Sequence, residues 1–89
     1  MKSEATPEFW ESYHRLPAEI QELADKAHRQ FEQDPRMAGL DFKKVGVRYN
    51  AYSARIGGTY RALGILDGGT MTWFWIGHHR VYDRLLRNL

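Results

Sequence analysis

The apolar residues of this chain change their spacing at about residue 40, and this change restricts the fold more than any other feature of the sequence. Within residues 16–33 they recur every three or four positions, which places them on one side of a helix. From residue 41 onward, short runs rich in β-branched and aromatic residues are separated by glycines, which is typical of strands joined by tight turns. Helices followed by hairpin-linked strands predict an α+β fold.

Two helices are predicted in the first third of the chain. The longer one spans residues 16–33 and ends at Asp34, because the following Pro35 displaces that residue from helical geometry. The shorter one spans residues 7–13 and carries three aromatic side chains on one side. We expect the two to form an αα-hairpin.

The second half of the chain predicts an antiparallel meander and a short helix. The strands are expected at residues 52–56, about 59–66 and 70–76. Asp67-Gly68 lies between the last two and is among the stronger hairpin signals in a sequence. The final helix is expected over residues 81–89. The predicted architecture is therefore two N-terminal helices packed on a small antiparallel sheet with a short C-terminal helix, in one domain spanning residues 1–89.

Side-chain size supports the pairing of the last two strands. Small Ala62 and Gly64 are expected opposite large Trp73 and Trp75, which keeps the layer evenly thick. Both tryptophans are expected in the core.

Charge is distributed unevenly along the chain. The net charge is +2, but residues 1–34 carry 4 basic and 8 acidic side chains, whereas residues 35–89 carry 9 basic and 3 acidic ones. A basic second half attracts a polyanion or an acidic protein segment, although small domains also divide their charge in this way by chance.

Several classes of protein are disfavoured by composition. The chain has no cysteine, so it has no disulfide framework and no thiolate metal site. No apolar run approaches the roughly 20 residues that cross a bilayer, and the polar N-terminus is not followed by a signal core. We expect a cytoplasmic protein without a membrane association.

The second half collects cations and proton-transfer groups. They are Lys43, Lys44, Arg48, Arg55, Arg61, His78, His79, Arg80 and Tyr82. Metal-free RNA cleavage needs such a set, because the 2′-OH must lose a proton, a cation must meet the charge on the phosphate, and the leaving 5′-oxygen must be protonated. Each residue type also has an ordinary structural role, as an edge cation, a surface lysine, a turn histidine or a core tyrosine. No metal site and no cofactor are expected, since the adjacent histidines have no acidic cluster near them and no glycine-rich phosphate loop precedes a helix.

Three blocks of the sequence resemble the RelE/ParE superfamily of toxins. Residues 40–45 (LDFKKV) are similar to its LxFKxL-type approach to the sheet, and residues 52–63 (YSARIGGTYRAL) to its central block with a YR pair. Residues 75–86 (WIGHHRVYDRLL) are similar to its ending, xIGxHxxYDxLL. The order and spacing match across residues 7–89, so the resemblance implies a microbial RNase-like fold.

The resemblance also implies an activity. RelE-like members enter the ribosomal A site and cut mRNA, so the resemblance implies that this chain is a ribosome-dependent endoribonuclease held inactive by a cognate antitoxin. By position, Arg61 matches the arginine of the YR pair and Arg55 the basic residue on the preceding strand. His79 falls where members carry arginine or histidine, and Tyr82 where many carry tyrosine. In this interpretation Arg61 stabilises the transition state, Arg55 steers the phosphate, His79 donates the proton and Tyr82 stacks on or orients the substrate.

The remaining cations are expected to contact RNA. They are Lys43, Lys44, Arg48, His78 and Arg80. Ser53 stands where some members carry a lysine, so the general base stays open, with Lys43 or Lys44 as replacements. Two alternatives also stay open: a ParE-like inhibitor of DNA gyrase and a homologue without activity. The histidine and tyrosine beside a phosphate-binding arginine favour the nuclease.

The length of one turn decides whether two arginines share a face of the sheet. A two-residue turn at Gly57-Gly58 places Arg55 and Arg61 on opposite faces, whereas a three-residue loop over residues 57–59 places them directly opposite each other. Like charges that face each other destabilise a sheet, a cost best tolerated where an anion binds between them. We therefore predict the three-residue loop, with both arginines on the face away from the helices.

Overall fold

A computed structural model describes all residues, 1–89, and contains one sheet of five strands. The strands are β1 (Lys2–Ala5), β2 (Lys43–Lys44), β3 (Ala51–Ile56), β4 (Tyr60–Asp67) and β5 (Thr70–His78). The helices are α1 (Pro7–His14), α2 (Ala18–Gln33) and α3 (His79–Leu85), with 3₁₀ turns at Ala38–Leu40 and Leu86–Asn88. The strand order is β1-β5-β4-β3-β2, and the predicted α+β class and the meander β3-β4-β5 are confirmed.

The sheet is mixed, because an unpredicted first strand adds to its edge. β1 pairs in parallel with β5, from Lys2 opposite Thr70 to Ala5 opposite Trp73. Its Ser3 hydroxyl accepts a 2.9 Å hydrogen bond from the indole of Trp73. The prediction of a purely antiparallel sheet was wrong here, since a four-residue polar segment carries too few apolar residues to indicate a strand.

Two helices cover one face of the sheet, which we call the helix face. Thr6 caps α1 through its hydroxyl, which accepts from Phe9 N at 3.2 Å. Tyr13 on α1 donates a 2.9 Å hydrogen bond to Asp25 on α2. Burial, followed by this contact with the carboxylate, raises the pKa of Tyr13 above its usual value. Phe31 lies at the centre of this core and is 1% exposed.

The last helix begins two residues earlier than predicted and covers part of the opposite face, which we call the α3 face. β5 continues through Gly77 to His78, and His78 then caps α3 because its Nδ1 accepts from Arg80 N at 3.1 Å. The chain ends near the start of β3, where Leu89 O accepts from Val47 N at 2.8 Å.

A β-bulge in β5 alters the register that side-chain size predicts. Gly64 lies opposite Trp73 as expected, but Leu63, and not Ala62, lies opposite Trp75. One extra residue in β5 therefore turns the two tryptophans to opposite faces. Trp73 is buried in the helix-face core, whereas Trp75 is only partly buried and shares the α3 face with Leu63. The prediction of two core tryptophans was wrong for Trp75.

Candidate functional site

The β3–β4 hairpin places two arginines directly opposite each other. Residues 57–59 form the loop, Ile56 pairs with Tyr60, and Arg55 pairs with Arg61, so the predicted three-residue loop is confirmed. Side chains opposite each other on paired strands share a face. That face is the α3 face, because Ile56 and its even-numbered neighbours on β3 pack against the helices.

Both guanidinium groups are held near the turn by backbone carbonyls. Arg55 Nε donates to Gly57 O at 2.9 Å, and Arg61 Nη1 donates to Tyr60 O at 2.8 Å and to Gly58 O at 3.5 Å. Neither arginine forms an ion pair with a carboxylate. Two positive charges therefore lie unneutralised at one end of the sheet, with donors left for an anion.

The two histidines adjoin the same turn. His78 pairs with Tyr60 across the strands, and the backbone N–H of His79 donates to Thr59 O at 2.9 Å. The two imidazole rings stack with their centroids 4.6 Å apart. His79 Nδ1 lies 3.9 Å from the carboxylate of Asp83, one turn along α3. The start of α3, with His79, thus adjoins the turn that joins the two arginine-bearing strands.

Alternation along β2 separates the two lysines. Lys43 lies opposite Ser53 and so shares the α3 face with the arginines, whereas Lys44 lies opposite Tyr52, which packs against the helix-face core. Lys43 Nζ is 3.3 Å from the carboxylate of Asp41. Of the two lysines considered as replacements for a lysine at position 53, only Lys43 lies opposite Ser53.

Tyr82 does not lie where a stacking residue must lie. It is 7% exposed, and its hydroxyl donates a 3.1 Å hydrogen bond to Ser53, which is also buried. Because α3 begins at His79, Tyr82 comes one turn later and points into the sheet. In this structure the ring of Tyr82 has no face free for a base, and the residue joins α3 to β3.

The two remaining arginines lie at different ends of the sheet. Arg80 is exposed in the first turn of α3, one residue after His79, whose N–H is bonded to the turn. Arg48 precedes β3, and its N–H donates to Leu89 O at 2.8 Å. Four strand residues separate the start of β3 from Arg55, which is roughly 13 Å at the usual rise per residue. Arg48 does not belong to the cluster at the turn.

Trp75 was missed as a site residue. It lies on the α3 face, and its ring leans along the strand over Gly77, which pairs with Arg61. Gly77 was the signal in the sequence that could have indicated this position of Trp75. A glycine two positions after a large aromatic residue leaves room for the aromatic ring on the same face of the strand.

The structure brings no group of three histidine, aspartate or glutamate side chains together in a way that suits a metal ion. None of its helices combines the length and the apolar character that a membrane crossing requires.

No protein-family model and no curated protein matches this chain, but solved structures share its fold. A chain of the RelB–RelE antitoxin–toxin complex from Methanococcus jannaschii superimposes with a TM-score of 0.74 and 20% identity, over 91% of this chain and 96% of that one. The YoeB/ParE toxin from Agrobacterium tumefaciens gives 0.69 and 18%, over 89% and 99%. The toxin–antitoxin complex RelBE2 from Mycobacterium tuberculosis gives 0.63 and 25%, over 86% and 95%.

Proposed function

We propose that this chain, which has the fold of the RelE/ParE toxins, is the toxin of a toxin–antitoxin pair and acts as a ribosome-dependent mRNA endonuclease. The toxin assignment is supported by the likeness to three toxin structures over nearly the whole chain. The nuclease assignment is supported above all by one observation, the directly opposed Arg55 and Arg61 without carboxylate partners. A sheet accepts such a pair most readily where a phosphate lies between the two charges.

The proposed reaction is cleavage through the neighbouring ribose hydroxyl. The 2′-oxygen gives its proton to water and forms a bond to phosphorus, the bond from phosphorus to the 5′-oxygen breaks, and that oxygen takes up a proton from the protein. Arg61 stabilises the charge that develops on the phosphate, and Arg55 steers the phosphate into place. His79, beside the turn, donates the proton to the 5′-oxygen. The products are a 2′,3′-cyclic phosphate and a 5′-hydroxyl.

No side chain is assigned as the general base, and Lys43 is assigned to RNA contact. Lys43 shares the face of the paired arginines and lies opposite Ser53, the position at which some RelE-like members carry a lysine. We therefore place Lys43 with the RNA-contacting groups, together with His78 and Arg80 at the turn. In this proposal mRNA in the ribosomal A site supplies the phosphate, and the ribosome orients it.

The proposed partner is an antitoxin that neutralises the cationic half of the chain. Two of the similar structures are described as toxin–antitoxin complexes. Residues 35–89 carry 9 basic and 3 acidic side chains, so an acidic or amphipathic segment of a partner is attracted to them. Co-purification with the protein of the adjacent reading frame is the test, and a chain that stays alone in its presence contradicts the partner assignment.

A reconstituted translation system tests the nuclease. A defined mRNA is translated with the purified chain, and new 5′ ends are mapped by primer extension and tested for a free 5′-hydroxyl by direct kinase labelling. We expect cuts within the translated region that need ribosomes, and none on naked mRNA. The Arg61→Ala variant should remove the cuts, and Arg48→Ala at the far end of the sheet should keep them.

The same preparation distinguishes the gyrase alternative. If no cuts form and the chain instead blocks DNA supercoiling by purified gyrase, the nuclease proposal is wrong. If neither activity is found while the antitoxin still binds, the chain is a toxin homologue that has lost its activity.

A further inference from the structure

The bulge in β5 gives Trp75 a position that strand alternation alone would not give it. Trp73 is buried, and its indole N–H donates to Ser3 at 2.9 Å. Trp75 lies on the opposite face, is partly exposed, and its indole N–H has no acceptor in the protein and is open to solvent. A buried structural tryptophan usually has its N–H satisfied. Trp75 therefore lacks the usual signs of a core residue.

The ring of Trp75 is directed toward the paired arginines. A Cβ built at Gly77 would lie 2.5 Å from Cζ2 and 2.9 Å from Cη2 of Trp75, so the six-membered part of the indole rests where the side chain of residue 77 would stand. Gly77 pairs directly with Arg61. The backbones of directly opposed residues are about 5 Å apart, so the ring and the arginine side chain start from adjacent positions on one face.

We propose that Trp75 is the stacking platform for a nucleobase of the RNA strand whose phosphate Arg61 binds. The inference rests on the proposed function, and it assigns to Trp75 the stacking role for which Tyr82 is buried too deeply. A nucleotide carries a flat apolar base next to a charged phosphate. An indole beside an unpaired arginine matches both parts, whereas a double helix would hide the base from the ring.

Binding of a short single-stranded RNA tests the platform without ribosomes. The probe is an oligoribonucleotide with 2′-O-methyl groups, which cannot be cleaved through the 2′-oxygen. Affinity is measured at low ionic strength for the wild type, Trp75→Phe and Trp75→Leu. Loss of stacking on one base weakens binding by about 10-fold or more. We expect that loss for Trp75→Leu, and a change within about 3-fold for Trp75→Phe, which keeps an aromatic ring.

Controls separate stacking from charge and from misfolding. The matched tryptophan control is Trp10→Leu, because Trp10 is 47% exposed on α1, on the other side of the sheet. An oligonucleotide of the same charge but with abasic sugars should bind the wild type and Trp75→Leu equally. Thermal unfolding of each variant reports whether the fold is kept, and Gly77→Ala, which displaces the ring, provides the readout if Trp75→Leu unfolds.

Either of two results of the oligonucleotide comparison with Trp75→Leu overturns the inference. One is a wild type that does not distinguish the intact oligonucleotide from the abasic one, and the other is a Trp75→Leu variant that weakens both equally. Failure of the proposed function is a separate result, because a chain that cuts no mRNA on ribosomes can still bind bases through Trp75. Conversely, if Trp75→Leu cuts mRNA on ribosomes as the wild type does, the nuclease proposal stands and the stacking role of Trp75 is contradicted.

Gly77→Ala gives a second and independent readout. The added methyl group would meet the indole at 2.5 Å and would force the ring of Trp75 to move, while the charges of the site stay the same. We expect Gly77→Ala to weaken binding of the intact oligonucleotide about as much as Trp75→Leu does, and to leave the abasic one unaffected. Equal binding of the intact oligonucleotide by Gly77→Ala and the wild type contradicts the proposed position of the ring.

Discussion

The two faces of the sheet differ in what they bury. The helix face holds an aromatic cluster, in which Phe31 makes edge contacts with Phe42 at 5.1 Å and with Trp73 at 5.3 Å between ring centroids. The α3 face has a smaller interior that includes a polar pair, the buried hydroxyls of Tyr82 and Ser53. Beyond that interior, the end of the α3 face carries the paired arginines.

This difference indicates that the helix face stabilises the fold, whereas the α3 face carries the candidate site. Close-packed aromatic and aliphatic side chains on the helix face supply most of the burial that stabilises so small a domain. The α3 face can therefore tolerate Arg55 opposite Arg61, an arrangement that costs stability when no anion is present. An apolar groove of about 360 Å³ also opens between the helices and the sheet. Its lining suits apolar side chains, whereas the α3 face suits a polyanion.

The largest expected effect is on the helix face. Phe31→Ala removes a fully buried ring and should lower the free energy of unfolding by about 3–5 kcal/mol. Urea unfolding followed by circular dichroism measures this loss. Arg61→Ala is the control on the α3 face and should change stability by no more than about 0.5 kcal/mol. A similar loss in both variants would mean that the two faces do not divide their roles in this way.

The next largest effect is expected on the α3 face, and it is a loss of activity and not of stability. Arg61→Ala should lose about 3 kcal/mol of transition-state stabilisation, or roughly 100-fold or more in rate, as when one donor to a developing oxyanion is removed. The single-turnover rate of cleavage on ribosomes with mRNA in the A site measures it. Arg48→Ala, at the other end of the sheet, is the matched control and should keep the rate within about 3-fold. Equal losses of rate in the two variants would show that Arg61 contributes no more to cleavage than Arg48 does.

The sequence predicted the fold where its signals are local. The apolar spacing of α2, the hairpin turns and the three motif blocks all agree with the structure, and the fold implied by the resemblance is confirmed. β1 was not predicted, since its few residues become a strand only through pairing with β5. The bulge was not predicted either, because one extra residue in β5 satisfies long-range packing and leaves no mark in the local pattern.

The candidate site was likewise predictable only where it depends on local signals. Turn length and strand alternation were enough to place Arg55 opposite Arg61. The burial of Tyr82 depends on how α3 packs back on the sheet, and the exposure of Trp75 depends on the bulge. Both are properties of packing between distant segments, so the local pattern of the sequence could not predict which of these two aromatic residues is buried.

A smaller effect is expected from the polar pair inside the α3 face. Tyr82→Phe removes the donor to Ser53 and leaves a buried hydroxyl without its partner, which costs about 1–3 kcal/mol of stability. Replacing both residues, as Tyr82→Phe with Ser53→Ala, should recover part of that loss because no buried polar group then stays unpaired. Urea unfolding of the two single variants and the double variant measures the coupling. Additive losses would show that the hydroxyls do not interact in solution.

The smallest effect compares two adjacent lysines on opposite faces. Lys43 and Lys44 are both exposed and carry the same charge, but only Lys43 lies on the α3 face beside Ser53. A lysine that contacts a phosphate releases counterions on binding, so its loss reduces the dependence of log K on log salt by about one unit. Lys43→Ala should therefore lower the salt dependence of ribosome binding by about one unit, and Lys44→Ala should change it by much less. Because the two variants lose the same charge, a difference between them reports the face that meets RNA. Equal slopes would mean that the basic half binds through its overall field, without a preferred face.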